Sequence, residues 1–387
     1  MEHLIHRDEA YLLRRFPLKK DDRLRAWDAA DEYLLRYLDG DAEPDAPAVL
    51  PSSGEIVLIN DTFGALGVAL HQRQPQSWGD SFLGHEALRY NLYENQLIEW
   101  QPTLVPADKN PSGAFALAVI KFPKNLTFFE DQLLRLRNVL APEAHVVCGG
   151  MIKHTPKRAY QLLEKVIGPT VTTQGWKKAR LAHSQLADRT DLPAGVPPTT
   201  YNLPGSEQEL LNLPNVFSRE RPDAGTRLLL ANLPHLADEL AAVDLGCGNG
   251  ILALALARNC PQARILGVDE SYQAVASAHL NAANLGDDSE RLTFYATDGL
   301  AGEPDQSRDL VVCNPPFHQG QTTGDLPAWD MFAEAARVLR PGGELRVVGN
   351  RHLGYHAKLK RLFEQVQLVA SDSKFVVLSA VKSNSRL

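Results

Sequence analysis

Four consecutive residues in the C-terminal half are of types that suit chemistry at an amine: Asn314-Pro315-Pro316-Phe317. They follow DLVVC, an apolar run typical of a buried parallel strand. Two prolines hold the backbone extended and remove two N–H donors, so the loop presents acceptors only. The Asn314 side-chain oxygen and the Pro315 carbonyl can then accept both hydrogens of one NH₂ group, while Phe317 offers a flat face to a planar ring.

Paired acceptors of this kind assist an amine whose lone pair is delocalised and poorly nucleophilic. They orient its nitrogen and stabilise the positive charge that develops as it takes a new carbon. No strong general base is needed, because the N–H proton of the amine becomes acidic once its nitrogen has bonded to the new carbon. We therefore predict that Asn314, Pro315, Pro316 and Phe317 are the catalytic residues of a group transfer to an exocyclic amine.

A glycine-rich loop, Gly246-Cys247-Gly248-Asn249-Gly250, lies between a predicted strand ending at Asp244-Leu245 and a predicted helix. Alternate glycines allow a tight turn and close ligand approach, and the helix start offers free N–H groups. The GxGxG spacing differs from the GxGxxG of dinucleotide sites. Asp269 ends the next strand, where a carboxylate can accept both ribose hydroxyls. Asp298 could meet an adenine amino group, although Asp298-Gly299 is also an ordinary turn.

These residues need a sheet to position them, and strand and helix patterns alternate along most of the chain, which indicates a βαβ architecture. At 387 residues the chain is long enough for two domains. Composition shifts to a proline-rich stretch at 186–204, which we predict as a linker between domains 1–185 and 205–387. Strands are predicted at 55–60, 115–122, 145–148, 241–245, 264–268, 292–295, 310–313, 344–348 and 375–380, and helices at 26–38, 251–259, 272–284 and 329–339.

The two halves can be aligned with each other, which favours a duplicated domain over two unrelated ones. At an offset of 186, residues 64–70 (GALGVAL) match 250–256 (GILALAL). An offset of 199 matches 139–142 with 338–341, and an offset of 200 matches 164–166 with 364–366. Any two βαβ domains share part of this rhythm, so each match alone is weak.

The N-terminal copy lacks the chemical residues. Asn60-Asp61-Thr62-Phe63-Gly64 replaces the glycine loop, and Phe63 would block close approach of a ligand to the backbone. Lys121-Phe122-Pro123-Lys124 replaces the tetrad, with no asparagine and a single proline. We therefore expect the N-terminal copy to keep the fold, to have lost the cofactor site, and to contact phosphate through its lysines.

The glycine loop with Asp269 resembles the class I S-adenosylmethionine-dependent methyltransferases, and the tetrad resembles the [D/N/S]PP[Y/F] of amino-methyltransferases. With the duplication, the chain resembles the guanine-N2 ribosomal RNA methyltransferases that have a degenerate N-terminal copy, and the large-subunit members more than the small-subunit ones. Residues carrying the closer resemblance include RFP (15–17), AW (26–27), AADEYLL (29–35), NDTFGAL (60–66), GPT (168–170), WKKARL (176–181), NVFSR (215–219), NPPFHQ (314–319), NRHL (350–353), KLK (358–360) and KFVVL (374–378).

This resemblance implies two tandem Rossmann-like α/β methyltransferase domains and methylation of one guanosine N2 in large-subunit (23S) RNA that is protein-free or partly assembled. The cofactor is S-adenosylmethionine; no metal and no obligatory protein partner is implied. Phe217-Ser218-Arg219 would cover the pocket or simply pack. The implied cofactor-binding residues are Asp244, Gly246, Cys247, Gly248, Gly250, Asp269, Asp298 and Asn314.

An RNA substrate requires a basic surface, whereas the chain has a formal net charge of −7, with 40 Lys+Arg and 47 Asp+Glu. The charge is uneven: residues 121–180 contain eleven Lys/Arg and four Asp/Glu, and residues 337–361 contain seven and one. Phosphate contacts depend on local charge, so these stretches favour binding of single-stranded or loosened RNA. The predicted RNA contacts are Lys121, Lys124, Lys177, Lys178, Arg180, Arg219 and Arg351.

Other features bound the setting and the alternatives. No apolar run approaches the roughly 18 residues of a membrane span, and the four cysteines form no CxxC pair, so we expect free thiols and a cytoplasmic protein. One alternative is the same chemistry on small-subunit (16S) RNA, protein glutamine or DNA adenine. Another is a non-catalytic RNA-binding assembly factor, which predicts a degraded loop or tetrad; the C-terminal half shows neither.

Overall fold

The chain folds as two compact units, Met1–Pro197 and Pro198–Leu387. The computed structural model describes residues 2–19, 23–42, 49–189, 191–234, 240–316 and 326–384. In these residues each unit is built on one seven-stranded mixed sheet with helices on both faces. No helix in the same ranges is long and apolar enough to cross a membrane.

The N-terminal sheet has the strand order β5-β4-β3-β6-β7-β9-β8, and a separate hairpin, β1-β2, precedes it. Strands β3 to β7 are parallel to one another, and β9 is antiparallel to both β7 and β8. The elements are β1 (Leu4–His6), β2 (Glu9–Tyr11), α1 (Ala29–Asp39), β3 (Glu55–Ile59), α2 (Ala65–Ala69), β4 (Gln76–Gly79), α3 (Phe82–Glu94), β5 (Leu104–Pro106), β6 (Phe115–Lys121), α4 (Leu126–Arg137), β7 (Leu140–Met151), α5 (Lys157–Val166), β8 (Thr170–Thr172) and β9 (Ala179–Gln185).

The C-terminal sheet repeats this order as β14-β13-β12-β15-β16-β18-β17, again with the penultimate strand antiparallel, and a hairpin, β10-β11, precedes it. The elements are β10 (Thr199–Asn202), β11 (Glu209–Asn212), α6 (Ala224–Leu230), β12 (Ala241–Leu245), α7 (Ile251–Asn259), β13 (Arg264–Asp269), α8 (Tyr272–Ala283), β14 (Leu292–Ala296), β15 (Arg308–Cys313), α9 (Leu326–Val338), β16 (Leu339–Asn350), α10 (Tyr355–Leu359), β17 (Gln365–Ser371) and β18 (Phe375–Val381).

Burial on both faces explains why the central strands are nearly all apolar. Each sheet separates two hydrophobic clusters, one on each face. The four cysteines are free and buried, which confirms the sequence-based expectation of free thiols. Helix ends follow local signals: Asp28 caps α1 in a capping box with Asp31, and Gly40 ends it in the left-handed conformation at φ +85°.

The predicted α/β fold and its duplication are confirmed. The boundary between the two units, at Pro197 and Pro198, lies inside the stretch 186–204 that was predicted as a linker. This stretch also contains a strand, Thr199–Asn202, and three of its side chains pack against the N-terminal core: Leu186, Leu192 and Val196. The match at an offset of 200 pairs the end of helix α5 with the start of strand β17, so those residues do not correspond. The offset of 199 does hold, because β7 begins at Leu140 and β16 at Leu339.

Candidate active site

The glycine loop after β12 has the open backbone that its sequence predicts. Gly246, Gly248 and Gly250 all adopt left-handed φ angles, +77°, +54° and +81°. A Cβ added at Gly248 would meet no atom of the described residues within 4 Å, which leaves space for a ligand beside this residue. The Gly248 N–H donates to Asp269 Oδ2 at 2.9 Å, which ties the loop to the end of β13.

Asp244 lies beneath this loop with its side chain fully buried. Its Oδ2 accepts from the backbone N–H of Ala253 in α7 at 3.0 Å, whereas Oδ1 has no hydrogen-bond partner in the described part of the chain. Burial raises the pKa of Asp244 to about 7. A buried carboxylate with an unpaired oxygen favours a cationic ligand nearby, since a positive charge would offset its desolvation.

The other predicted cofactor-binding residues differ in burial and in the groups that they offer to a ligand. Asp269 is half-buried, and its Oδ1 accepts from the Ser271 N–H at 3.0 Å; burial raises its pKa. Asp298 is half-buried after β14 and precedes Gly299, at φ +49°. The Cys247 side chain is 4% exposed and packs in the core, and its N–H is bound to the Val268 carbonyl, so Cys247 offers a ligand neither group.

Asn314 is brought to the same edge of the sheet, because β12 and β15 are adjacent and Leu245 pairs with Cys313. Its Nδ2 donates to Thr226 Oγ1 at 2.8 Å and to Asp223 Oδ2 at 3.2 Å. Its Oδ1 is buried and has no hydrogen-bond partner among the residues described. Pro315 is buried and Pro316 exposed, while Phe317 lies outside the described residues. The predicted acceptor oxygen is therefore available.

These observations fit a nucleoside ligand that carries a positive charge. Open space at Gly248 and two unpaired buried oxygens, on Asp244 and Asn314, lie at the carboxyl ends of adjacent strands, the usual ligand position in open α/β sheets. The glycines, Asp269 and Asp298 could hold such a ligand, with Asp244 beneath the loop.

The segment that holds this site in place was not predicted from the sequence. It begins with β10, inside the stretch predicted as a linker. The N–H groups of Leu211, Leu213 and Asn215 donate to three side chains of α8 spaced four residues apart, at 2.7, 3.1 and 2.7 Å. Two strand residues and four helical residues both advance about 6 Å, which is why the two patterns stay in register. The acceptors are Asn281, Ser277 and Gln273, all buried.

The same segment also reaches the glycine loop and Asn314. Asn249 donates to Tyr201 in β10 at 2.8 Å and to Asn212 in β11 at 2.7 Å. Downstream, Asp223 caps α6 and contacts Asn314. Between these points Phe217 is 71% exposed and Ser218 is left-handed at φ +53°. A cap residue before α6 was readable from sequence, but its contact with a residue about 90 positions later was not.

The N-terminal sheet holds different groups at the corresponding places. Asp61, which aligns with Cys247 and not with Asp244, accepts from the Gly67 N–H at 2.8 Å, and burial raises its pKa to about 6. Lys121 ends β6 with a side chain only 13% exposed, and its Nζ lies 2.8 Å from both Asp28 and Asp31. The predicted phosphate contact of Lys121 is therefore wrong, because two carboxylates already bind its ammonium group.

The remaining predicted RNA contacts are spread over both units. Lys177 and Lys178 are exposed at the turn before β9, both left-handed at φ +45° and +66°, and Lys177 pairs with Glu32 and lies over the Trp176 ring. Lys124 and Arg351 are exposed, the latter donating to the Asp372 carbonyl. Arg180 and Arg219 are half-buried, and Arg219 Nε donates to Thr199 Oγ1.

Family models match both units of the chain. Residues 207–379 match the model of the methyltransferase small domain, which gives the class of the C-terminal unit: a methyltransferase. Residues 1–188 match the RLMG N-terminal domain. The proteins called ribosomal RNA large subunit methyltransferase G are 48% identical over 370 residues in Pseudomonas paraeruginosa and 46% over 371 residues in Stutzerimonas stutzeri. Each alignment covers 95% of this chain and 96% of the relative. The chain belongs to the ribosomal RNA large subunit methyltransferase G family.

A solved structure supports the tandem fold. The T. thermophilus 16S rRNA N2 methyltransferase, in complex with AdoMet and guanosine, aligns with a TM-score of 0.75 and covers 98% of this chain and 97% of its own. At 22% identity this likeness concerns the fold alone. The alignment covers nearly all of both chains, so the likeness in fold includes each of the two sheets.

Proposed function

We propose that the protein transfers the methyl group of S-adenosylmethionine to the exocyclic N2 amine of a guanosine in large-subunit (23S) ribosomal RNA, giving N2-methylguanosine. The observation that carries the chemistry is the buried, unpaired Asn314 Oδ1 beside Pro315, at the edge of the sheet that also carries the glycine loop. The choice of RNA rests on relatives 48% identical over 95% of the chain, which are named for the large subunit.

The residues of the chain orient the amine and stabilise its developing charge. S-adenosylmethionine, when bound, would supply an electrophilic methyl group whose bond to the sulfonium sulfur breaks as the N–C bond forms, leaving the thioether S-adenosylhomocysteine. Asn314 Oδ1 and the Pro315 carbonyl accept the two N2 hydrogens, which aims the nitrogen lone pair and stabilises the ammonium-like charge of the transition state. Phe317 is proposed to stack on the guanine. After transfer the N2 proton is acidic and leaves to solvent.

The cofactor is proposed to lie over the glycine loop. Gly246, Gly248 and Gly250 admit it to the backbone, Asp269 accepts from the ribose hydroxyls, and Asp298 accepts from the adenine amino group. Asp244 supports the loop from below and contributes its negative charge, and Cys247 contributes core packing. Phe217-Ser218-Arg219 is proposed to cover the pocket, because it connects the part of the chain bound to α8 with Asp223, which is bound to Asn314.

RNA binding is assigned to the N-terminal domain, residues 1–185, together with exposed cations of the catalytic domain. We propose Lys124, Lys177, Lys178, Arg180, Arg219 and Arg351 as contacts, and leave out Lys121. Because the guanine must leave its stack to reach Asn314, the substrate is protein-free or partly assembled RNA with the target unpaired. The four free thiols fit action in the cytoplasm.

The test uses purified protein, labelled S-adenosylmethionine and in vitro transcribed 23S or 16S RNA, followed by digestion to nucleosides. We expect label in N2-methylguanosine from 23S RNA alone. Label in 16S RNA would support the small-subunit alternative. Label in N6-methyladenosine or in protein would refute guanine as the acceptor. RNA binding without any label would indicate a non-catalytic assembly factor. The Asn314→Ala variant should bind the cofactor normally while its turnover falls about 100-fold; retained turnover would refute the role of Asn314.

A further inference from the structure

The Asn314 carboxamide is held in one orientation by two residues at the start of α6. Asp223 caps this helix, its Oδ1 accepting the Gly225 N–H at 2.8 Å, and its Oδ2 accepts the Thr226 hydroxyl and the Asn314 amide. Thr226 Oγ1 accepts the second contact from Asn314, at 2.8 Å. Thr226 is 7% exposed, so this is a buried arrangement.

Hydrogen-bond chemistry permits only one orientation of this amide. An ionised carboxylate only accepts, so the NH₂ group, not the oxygen, must face Asp223. The hydroxyl hydrogen of Thr226 goes to Asp223, which leaves the Thr226 oxygen to accept from Asn314 as well. Both amide hydrogens are thus used, and Oδ1 is the atom left to receive a ligand.

The N-terminal copy repeats the arrangement with different side chains, which is an independent observation. Ile59 pairs with Ile120 as Leu245 pairs with Cys313, so Lys121 corresponds to Asn314. Asp28 caps α1, and Asp31 lies three residues later, as Thr226 does after Asp223. Lys121 Nζ contacts both Asp28 and Asp31 at 2.8 Å.

The comparison shows what each copy requires at this place. In both, the cap residue of the first helix and the residue three positions on bind the side chain at the end of the same strand. Where that side chain is a cation, the pair is two aspartates, and both carboxylates contact its ammonium group. Where it is an amide, one aspartate becomes threonine, and the amide oxygen stays unpaired.

We propose that Asp223 and Thr226 are positioning residues for methyl transfer, holding Asn314 with its oxygen toward the amine that accepts the methyl group. The inference rests on the proposed function of Asn314 and deepens it. Donation from the Asn314 NH₂ to a carboxylate polarises the amide and places more negative charge on Oδ1. A rotated amide would instead present its NH₂ to the amine, and the two donors would repel each other.

A charge exchange between positions 223 and 314 tests this role. Asn314→Asp places a carboxylate against Asp223, and we expect kcat to fall at least about 100-fold. Asp223→Asn should lower kcat by about 10-fold, since asparagine still caps α6 but no longer fixes the amide orientation. In the double variant the amide at position 223 can donate to the carboxylate at position 314. Its kcat should therefore be at least about 10-fold higher than that of Asn314→Asp alone.

Thr226 supplies the second readout. Thr226→Val keeps the shape but removes the hydroxyl, and should lower kcat with little change in KM for RNA or in cofactor affinity; Thr226→Ser should restore the rate. Thermal unfolding and cofactor binding of every variant separate lost fold from lost orientation. If the wild-type protein labels no guanosine, the proposed function is refuted. If the wild type is active but the kcat losses of Asp223→Asn and Asn314→Asp multiply in the double variant, the positioning role is overturned.

Discussion

Replacing Gly248 by alanine tests whether the open space above the glycine loop belongs to the cofactor. Among the residues that the structure describes, the new methyl group meets no atom within 4 Å, so we expect the fold to lose only the cost of a left-handed alanine at φ +54°. That cost is about 1–2 kcal/mol. If the cofactor lies against this residue, the methyl group also intrudes on it, at about 1–3 kcal/mol. Affinity should then fall by about 5–150-fold.

A matched control separates strain from obstruction. Gly205, in the β10–β11 turn, is also left-handed, at φ +75°, and a Cβ there also meets no atom within 4 Å in the described part of the chain. Gly205→Ala should therefore lower the unfolding free energy by a similar amount and leave cofactor affinity unchanged. Affinities are measured by calorimetry and stabilities by urea unfolding. If Gly248→Ala bound S-adenosylmethionine as tightly as Gly205→Ala, our placement of the cofactor over the loop would be wrong.

Two further predictions concern buried charges. Lys121→Met leaves the carboxylates of Asp28 and Asp31 without their cation and should destabilise the N-terminal domain by about 3–5 kcal/mol in urea unfolding. The control is Lys124→Met, at an exposed lysine, which should change the stability little. Equal effects of the two substitutions would contradict the buried pairing of Lys121. Asp244 has a pKa of about 7 when folded and 3.8 as its reference, so its ionisation destabilises the fold increasingly as pH rises between these values. The stability of Asp244→Asn relative to wild type should grow by about 3 kcal/mol from pH 4 to 7, and a constant difference would refute the raised pKa.

The catalytic sheet was readable from the sequence because its signals are local. β12 and α7 have the predicted bounds, Ala241–Leu245 and Ile251–Asn259, since an apolar strand, a glycine turn and an apolar helix follow one another without interruption. The hairpin β10–β11 was missed because prolines around it imitate a linker and its partners lie on α8, about 60 to 70 residues away.

Charge counts were a poorer guide than motifs, because they do not show what each cation binds. In the stretch 121–180, Lys121 pairs with two aspartates, Arg135 with Asp131 and Arg137 with backbone carbonyls. In the stretch 337–361, Arg340 and Arg346 pair with Asp309 and Glu344. A part of each basic excess therefore stabilises the fold, and the surface available to RNA is smaller than the sequence suggests.

The buried pairing of Lys121 also makes the loss of chemistry in the N-terminal copy hard to reverse. A single Lys121→Asn change leaves Asp28 and Asp31 facing each other without a cation, and a single Asp31→Thr change leaves Lys121 with one carboxylate. Removing one partner of a buried ion pair costs about 3–5 kcal/mol, a large share of the 5–15 kcal/mol that typically holds a domain together. Each of these two single steps toward an amide at this position therefore lowers the stability of the domain, which favours keeping the non-catalytic residues.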